Sequence, residues 1–593
     1  MRIEEGFQIP PYKEENVYTS DPVLRGILKR TLPPSVFEEI NQDLVRFGNE
    51  VLTSIRDMGT KVTPPNLVQY DQWGRRIDDL QTSEGWRGLK AIAQKEGMPG
   101  IFYERTYGEH SRSYGFAKVL LMSGDSHMVF CPLSMSDGAA RVIELAGSPA
   151  MKEHVLPKLI SRDPQVAFTA GQWMTERPGG SDVSLTETKA AYSGQSGQFG
   201  PVYHLDGFKW FSSATDSDIS VALARTGSLQ DGSRGLSLFL VPLRLPLLRQ
   251  PSDAKPSAIS NNIFVHRLKN KFGTIPVPTA ELSLQNTEAY LIGNQNQGVK
   301  QITPVLNITR LYSATGTVGG LRKCLSIATA YARVRAIHQG TQLLQDNPLH
   351  VAGLASINLV YRALAHLSFG AVRLLGKSEC GVATQDELNR LKMLTPTAKA
   401  FVAEHAATAM EDAMACLGGA GYMEENGFGR QIRDALVEKI WEGTTNILAL
   451  DIVRAARDPS VVLSFVNWGK GVIASCPEAL AAGYKEAFDI LRPALDELID
   501  AYKQPVPSLM PRAGLFVVGH VASSVYLLEQ AIWSNAVNDS QKHVDSEVFN
   551  RWVIEGGLTK ALTDLTRARN ARSDRLESNY SIVFDEQPLK GKL

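Results

Sequence analysis

The chain has 593 residues, and its 62 lysines and arginines are balanced by 62 aspartates and glutamates, so the formal net charge is zero. This length predicts about three to four domains, and the charge balance gives no electrostatic footprint for nucleic acid. The five cysteines are scattered, with no C-x-x-C pair and no histidine spacing suited to zinc. We therefore expect reduced thiols and no metal site.

The two chain ends bear on location. The start, MRIEEGFQIPPYKEEN, is acidic and contains prolines, unlike a secretory or mitochondrial leader. No window approaches about twenty consecutive apolar residues, so we expect no membrane span. The final Gly591-Lys592-Leu593 is one residue type away from the peroxisomal S-K-L signal. We expect a cytoplasmic protein, with the peroxisome as the alternative.

The apolar periodicity changes along the chain and predicts a mostly helical α+β protein. We place the boundaries at 1–164 (helical), 165–296 (β-rich), 297–459 (helical bundle) and 460–593 (helical extension). In the β-rich part, runs such as ISVALART and LSLFLVPL are divided by Gly, Ser, Asp and Pro clusters. The loop Tyr192–Val202, YSGQSGQFGPV, has the composition of a flexible connector.

Two motifs lie in the predicted β-domain. In Gln172–Thr188, QWMTERPGGSDVSLTET, a Pro-Gly-Gly turn allows backbone N–H groups to approach a ligand, although an ordinary polar turn explains the same residues. In Asp206–Ala214, DGFKWFSSA, the adjacent Trp210 and Phe211 should point to opposite faces of a strand. One ring could then cover a planar ligand, and core packing is the alternative.

Two further motifs lie in the predicted bundle. The segment Thr309–Gly340 predicts a helix with Arg310 near its start and Arg333 and Arg335 near its end, where arginines could pair with a diphosphate or form a solvated face. The segment Leu417–Ile447 contains a glycine cluster and the stretch IWEGTTNI. Its Glu442 is either a catalytic base or an acid that favours a helix start.

In this order and spacing, the four motifs resemble the acyl-CoA dehydrogenase superfamily, specifically its AidB-like branch. The T-E-x-x-G-G-S-D, G-x-K-W-F and I-W-E-G-[ST]-x-N-I forms carry the match. The resemblance implies an N-terminal helical domain, a central β-barrel or sandwich and a C-terminal four-helix bundle, followed here by an extra helical domain. It also implies FAD and a homo-oligomer, most simply a homotetramer, acting in fatty acid or branched-chain acyl metabolism.

The resemblance assigns site residues by position. Phe211 stands where many relatives have a flavin-covering tryptophan, which here is Trp210, one place earlier. Arg335 matches an arginine that reaches the FAD of a neighbouring subunit, and His338 occupies a place where an aromatic is usual. The substrate-binding positions are Arg310 and Gly443. The cofactor-binding positions are Met174, Thr175, Ser181, Phe211, Ser213, Arg335, Gly418, Gly419, Thr444 and Asn446.

In this superfamily a carboxylate removes the α-proton of an acyl-CoA thioester while the β-hydrogen leaves as hydride to flavin N5. By this resemblance Glu442 is the general base, and its backbone N–H and a ribityl hydroxyl of FAD hold the enolate oxygen. Some branched-chain relatives carry the base at the position of Thr309, whose hydroxyl cannot act as one at neutral pH. The electrons would pass to an acceptor such as electron-transfer flavoprotein, or to oxygen.

Two alternatives remain open from the sequence. One is a flavin oxidase or desaturase that acts on a substrate other than a CoA thioester. The other is an AidB-like flavoprotein that binds or protects DNA. The basic stretch Arg567–Arg575 is nearly cancelled by nearby acids, and a solvated helix face explains it better than a phosphate-binding surface. We therefore do not expect a nucleic-acid partner.

Overall fold

The computed structural model describes residues 11–248 and 260–586. The first ten residues and the C-terminal Gly591-Lys592-Leu593, on which the targeting predictions depend, lie outside the described residues. The chain divides into two compact units, which we call the first unit and the second unit. They are Met1–Leu354 with Ala406–Glu442, and Ala355–His405 with Gly443–Leu593.

The first unit begins with helices, in agreement with the periodicity of the opening region. In chain order they are α1 (Pro22–Thr31), α2 (Pro34–Glu50), α3 (Arg56–Gly59), α4 (Glu84–Lys95), α5 (Ile101–Glu104), α6 (Ser111–Ser123), α7 (Phe130–Ala146), α8 (Pro149–His154) and α9 (Leu156–Leu159). Between α3 and α4 lies an antiparallel hairpin that the helical pattern did not predict, made of β1 (Asn66–Tyr70) and β2 (Arg76–Gln81). Gly74, with φ +75°, lies in its turn.

A charged network fixes the packing of α2 against α6. Asp43 accepts hydrogen bonds from Tyr114 at 2.6 Å and Lys118 at 2.7 Å, and it pairs with Arg46 at 2.6 Å. Burial works to raise the pKa of Asp43, but these three partners outweigh burial and hold the pKa at about 2. The ordinary value is 3.8, so the charged carboxylate stabilises the folded state.

We expect Asp43→Asn to weaken the acid dependence of stability. Because the folded pKa lies below the unfolded one, the contribution of Asp43 is fully present above about pH 5 and is lost as the pH falls towards 2. It amounts to at most about 2 kcal/mol. Thermal melts of both proteins between pH 6 and pH 3 test this, and parallel curves of melting temperature against pH would contradict it.

The middle of the chain forms a β-barrel. Its strands are β3 (Ala170–Trp173), β4 (Lys189–Gly197), β5 (Gly200–Ser213), β6 (Ile219–Arg225), β7 (Leu236–Pro242), β8 (Ile263–Leu268) and β9 (Thr279–Ile292). Five of the strands close a ring through the pairings β6–β4, β4–β5, β5–β9, β9–β7 and β7–β6. Outside the ring, β3 pairs with β6 and β8 pairs with β9. The predicted mostly helical α+β fold with a central barrel is confirmed.

Strand β6 is buried on both faces, which explains its unbroken apolar run. Ile219, Val221 and Leu223 contribute to a core shared with α7, whereas Ala222 and Ala224 contribute to a core shared with β5, β7 and β9. Successive side chains of a strand point to opposite faces, so one strand serves both cores. The barrel is thereby packed against the N-terminal helices.

The prediction that Tyr192–Val202 is a flexible connector is wrong. Its first part belongs to β4, which turns into β5 with Ser196 opposite Pro201 and Gly197 opposite Gly200. Glycine and serine composition indicates flexibility only when the backbone has no partner, and here β5 supplies the hydrogen bonds of a ladder.

The first unit continues with long helices. They are α10 (Gly298–Ala332), α13 (Phe428–Leu436) and parts of α11 (Pro348–Glu379) and α12 (Gln385–Ala415), each of which is divided between the two units. A short hairpin of β10 (Ala336–Ile337) and β11 (Gln342–Leu343) follows α10. The sequence predicted that Arg310 lies near the start of this helix. However, α10 begins eleven residues before Thr309, so Arg310 lies well inside the helix. Arg335 follows the end of the helix.

The second unit contains parts of α11 and α12 and the remaining helices. These are α14 (Thr445–Ala455), α15 (Pro459–Ala474), α16 (Glu478–Ala481), α17 (Lys485–Ala501), α18 (Met510–Ala536), α19 (Lys542–Glu555), α20 (Leu558–Arg569) and α21 (Ser573–Phe584). Glycines let the helices pack closely: a Cβ added at Gly519 would lie 2.2 Å from Phe401, and one added at Gly370 would lie 2.2 Å from Tyr526.

Helix α18 is the one described helix that is long and apolar enough, by length and composition, to cross a membrane. However, 83% of its most apolar 18-residue window is buried inside the protein. Helices α19, α20, α14 and α17 all contact it. Packing against these helices accounts for its apolar sequence.

Candidate functional site

The I-W-E-G turn has an unusual backbone. Glu442 has φ +56° and Gly443 has φ +101°, so two consecutive residues are in the left-handed region. This conformation suits glycine but costs a residue with a Cβ about 1 kcal/mol or more, and such residues concentrate at functional sites. The strained residue is the one that the sequence identifies as the candidate base.

The helix-start explanation of Glu442 does not fit this turn. Helix α14 begins at Thr445, and its N-cap is Thr444, whose side chain accepts a hydrogen bond from the N–H of Ile447 at 3.4 Å. Glu442 lies two residues before that cap, outside the helix. Its carboxylate accepts a hydrogen bond from a different element, namely helix α10.

Two consecutive residues of α10 hold Glu442 from both ends. The Thr309 hydroxyl donates to the Oε2 atom of Glu442 at 2.7 Å, and Nε of Arg310 donates to the backbone carbonyl of Glu442 at 3.1 Å. Burial lowers the pKa of Arg310, and the nearby Glu442 opposes that effect. The structure therefore brings together three residues that the sequence analysis identified.

We expect Thr309→Val to slow turnover about tenfold, because it removes a hydrogen bond that fixes the position of the carboxylate. Thr309→Ser retains the hydroxyl and should stay close to wild type. Steady-state kinetics with the acyl-CoA substrate that the resemblance implies measures the difference. Equal rates for the valine and serine variants would show that the contact does not serve catalysis.

The first motif is anchored by a buried ion pair that the sequence analysis missed. Glu176 accepts hydrogen bonds from Lys209 at 2.6 Å, from the Thr188 hydroxyl at 2.6 Å and from the N–H of Glu187 at 2.6 Å. Lys209 also donates to the carbonyl of Leu223 at 2.7 Å. Burial works to raise the pKa of Glu176, but these partners, Lys209 foremost, hold it below its usual range.

This pair joins two of the motifs. Glu176 is the E of T-E-x-x-G-G-S-D, and Lys209 is the K of G-x-K-W-F. Neither residue is more than 3% exposed. A sequence signal existed, since a lysine between two aromatic residues in a strand must either face solvent or find a buried acid.

Arg225 fixes the far end of the same loop. Its guanidinium donates to four backbone carbonyls, at distances between 2.7 and 3.0 Å, which belong to Ser184, Thr186, Ser228 and Gly232. The loop after the Pro-Gly-Gly turn is thus held at both ends, by Glu176 at one and by Arg225 at the other. A ligand that contacts this loop meets a rigid surface.

The predicted cofactor residues of the barrel lie around this loop. Met174 and Thr175 are half-buried at the end of β3, and the carbonyl of Thr175 accepts a hydrogen bond from the N–H of Trp210 at 2.9 Å. Ser213 shares a hydrogen bond of 3.0 Å with Thr279, while Ser181 is exposed. The first and second motifs are therefore in direct backbone contact.

Trp210 and Phe211 do not alternate between a core face and a ligand face, as we had expected. The pairing of β5 with β9 shifts register between Lys209 and Ser212, which marks a bulge at the two aromatic residues. As a result, Nζ of Lys269 lies 3.2 Å from the centroid of Trp210 and 4.6 Å from that of Phe211. The Phe211 side chain is 51% exposed.

These residues fit a flavin. Phe211 offers an exposed aromatic face, and Met174 a half-buried apolar one. Beside them, the Oε1 atom of Gln172 is buried and has no hydrogen-bond partner within the described chain. A buried acceptor without a donor is costly unless a ligand supplies one, and a flavin ring edge carries an N–H group.

Arg335, Gly418 and Gly419 lie elsewhere in the first unit. All three are exposed. Gly418 has φ +60°, and a Cβ added at either glycine would meet open space. The exposed backbone of this turn is accessible to a ligand, and Arg335 is accessible to another molecule.

Gly443, Thr444 and Asn446 belong to the second unit. The carbonyl of Gly443 accepts a hydrogen bond from Lys399 at 2.7 Å, and Oδ1 of Asn446 accepts one from Arg512 at 3.3 Å. Thr444 is committed to capping α14. The structure thus gives each of these residues a local role. The flavin contacts of Thr444 and Asn446 and the substrate contact of Gly443 stay predictions.

Three family profiles match the chain. They are described as the Adaptive response protein AidB N-terminal domain, over residues 7–164, the Acyl-CoA dehydrogenase middle domain, over 171–287, and the Acyl-CoA dehydrogenase C-terminal domain, over 296–456. Acyl-CoA dehydrogenase family member 11 of Caenorhabditis elegans is 35% identical and aligns with 96% of this chain and 91% of its own length. The AidB protein of Escherichia coli (strain K12) is 28% identical over 77% of this chain and 81% of its own length.

Solved structures agree with the sequence relatives. The crystal structure of Caenorhabditis elegans ACDH-11 in complex with C11-CoA has a TM-score of 0.87 and 33% identity, and covers 98% of this chain and 97% of that chain. The apo-form of Bd2924 has a TM-score of 0.77 and 37% identity, and covers 89% of this chain and 100% of that chain. The chain therefore belongs to the acyl-CoA dehydrogenase family of FAD-dependent oxidoreductases, in its AidB-like branch.

Proposed function

We propose that this enzyme desaturates an acyl-CoA thioester between its α and β carbons, with Glu442 as the general base. The observation that carries the proposal is the strained turn, in which Glu442 is held by Thr309 through its carboxylate and by Arg310 through its carbonyl. A family fold supplies the chemistry in general terms, and this turn supports Glu442 as the group that performs it.

The α-proton of the thioester passes to the carboxylate of Glu442 as the double bond forms. When bound, FAD would supply the acceptor for the β-hydrogen, which leaves with its electron pair as a hydride, and the products would be a trans-enoyl thioester and reduced flavin. A carboxylate held in a fixed position close to the α-carbon avoids the entropic cost of finding that geometry.

The chain's own residues divide the work of binding and orientation. Met174, Thr175, Ser181, Phe211 and Ser213 would hold the flavin on the rigid loop and bulge of the barrel. Arg310 and Gly443 would shape the substrate side of the turn. Within the first unit, Arg310 already orients the Glu442 carbonyl.

The substrate class follows from the relative that was solved with a ligand. ACDH-11 is described in complex with C11-CoA, and the chain matches that structure over nearly its whole length. We therefore propose a thioester with a medium to long acyl chain. The proposed electron acceptor is an electron-transfer flavoprotein, with oxygen as the alternative. The comparisons favour a dehydrogenase over the DNA-binding alternative.

A visible spectrum followed by anaerobic titration tests the proposal. The purified protein should show a flavin spectrum that bleaches with straight-chain acyl-CoAs, most completely near eleven carbons. A panel from four to sixteen carbons, with branched chains included, defines the preference. Bound flavin that no acyl-CoA reduces would refute the thioester proposal.

A further inference from the structure

A second carboxylate is buried one helical turn before the proposed base. Glu438 is 5% exposed and lies in the short turn that leads to Glu442. Its Oε2 atom accepts hydrogen bonds from both the hydroxyl of Ser313 and the indole N–H of Trp441. The proposed proton transfer does not use this group, so its burial needs another explanation.

The two donors place Glu438 between the base and helix α10. Trp441 is the residue directly before Glu442. Ser313 lies four residues after Thr309, so both side chains are on the same face of α10. The hydrogen bonds Thr309–Glu442 and Ser313–Glu438 therefore attach the residues around Glu442 to two successive turns of α10.

A tether of this kind has a clear physical purpose. The left-handed backbone of Glu442 is not its preferred conformation and persists only when its surroundings fix it. Thr309 and Arg310 hold Glu442 itself, but the residue before it must also be fixed to set the direction of the turn. The indole of Trp441 does this, provided that its N–H has an acceptor.

We propose that Glu438 is a positioning residue, which holds Trp441 and Ser313 together and so keeps the base in its left-handed turn. The proposal rests on the proposed function in one respect, namely that Glu442 is the base. Glu438 itself contacts no reacting atom and acts through Trp441.

The test compares Glu438→Gln with Glu438→Leu. Glutamine retains an oxygen that accepts both hydrogen bonds, whereas leucine removes it at similar volume. We expect the glutamine variant to keep most of the wild-type kcat and the leucine variant to lose about 30- to 100-fold in kcat with little change in KM, because the base is misplaced while the binding surface is retained. Glu411→Leu, on an exposed face of α12, is the matched control.

A second measurement does not depend on catalysis. Hydrogen–deuterium exchange followed by mass spectrometry should show faster exchange for the peptide around residues 437–444 in the leucine variant, but not in the glutamine variant or the control. Faster exchange in this peptide with no acyl-CoA reduction in the wild type would sustain the tether and refute the proposed function. Unchanged exchange and kcat in the leucine variant would overturn the tether.

Two further outcomes of the Glu438 experiments decide whether the hydrogen bonds or the charge of Glu438 matter, and what to measure if a variant does not fold. Equal loss of kcat in the glutamine and leucine variants would overturn the hydrogen-bond tether, since the charge would then be what matters. If Glu438→Leu does not fold, Trp441→Phe and Ser313→Ala each remove one donor. Both should lower kcat severalfold, with a combined effect smaller than the product of the two, and wild-type rates in both would overturn the proposal.

Discussion

Glu442→Gln is expected to bind flavin as the wild type does and to lose reduction of that flavin by acyl-CoA by roughly two to four orders of magnitude. The amide keeps an oxygen that can accept the Thr309 hydrogen bond, so the turn should persist. What disappears is the carboxylate that we propose as the acceptor of the α-proton. Anaerobic stopped-flow absorbance at the flavin band measures the rate directly.

Glu411→Gln serves as the matched control, because it makes the same chemical change at an exposed site of the same chain. It should reduce flavin at the wild-type rate. If Glu442→Gln also retained that rate, Glu442 would not be the base. Another residue near the turn would then have to act as the base.

Breaking the buried ion pair between Glu176 and Lys209 is expected to have the largest effect on stability. Lys209→Met or Glu176→Gln leaves the partner without its opposite charge, in an environment where neither side chain is more than 2% exposed. Such a change typically costs about 3 to 5 kcal/mol. Urea unfolding followed by circular dichroism should show a lower midpoint for each single variant.

The double variant Glu176→Gln with Lys209→Met separates the pair from its surroundings. Removing both charges should recover part of the loss, because no uncompensated charge remains. Lys61→Met breaks the exposed pair with Glu84 and should change the midpoint little. Losses that simply add in the double variant would show that the two residues stabilise the barrel independently.

Acid should weaken the same pair. The folded pKa of Glu176 lies below its ordinary value, so its contribution is present above that value and is lost as the pH falls through the folded pKa. Since the first two motifs are joined here, flavin affinity should fall together with stability in the single variants. Flavin release on heating can be followed by fluorescence in the same samples.

Periodicity was sufficient for the helical regions and for most of the barrel, since apolar spacing reports which face is buried. It failed for Tyr192–Gly197, where the sequence lacks apolar residues and the strand forms because β5 lies beside it. It also failed at Trp210 and Phe211, because a bulge is a property of two paired strands. Neither feature can be read from one segment in isolation.

The site was predictable only in part for a similar reason. The I-W-E-G form identified Glu442, but its hydrogen bond with Thr309 joins residues 133 positions apart. Glu176 and Lys209 stood in quoted motifs, yet nothing in either motif stated that one would pair with the other. Glu438 lies within the fourth motif but outside its I-W-E-G form, and its proposed role becomes visible only when Ser313 and Trp441 converge on one oxygen.

Helix α10 separates the candidate base from Arg335, a predicted cofactor contact. From Thr309, which touches the base, to the helix end at Ala332 the axis advances roughly 35 Å, and Arg335 lies beyond that end. The resemblance implies that Arg335 contacts the FAD of a neighbouring subunit. In that arrangement a lone chain would hold an incomplete site, and activity would fall on dilution below the assembly concentration.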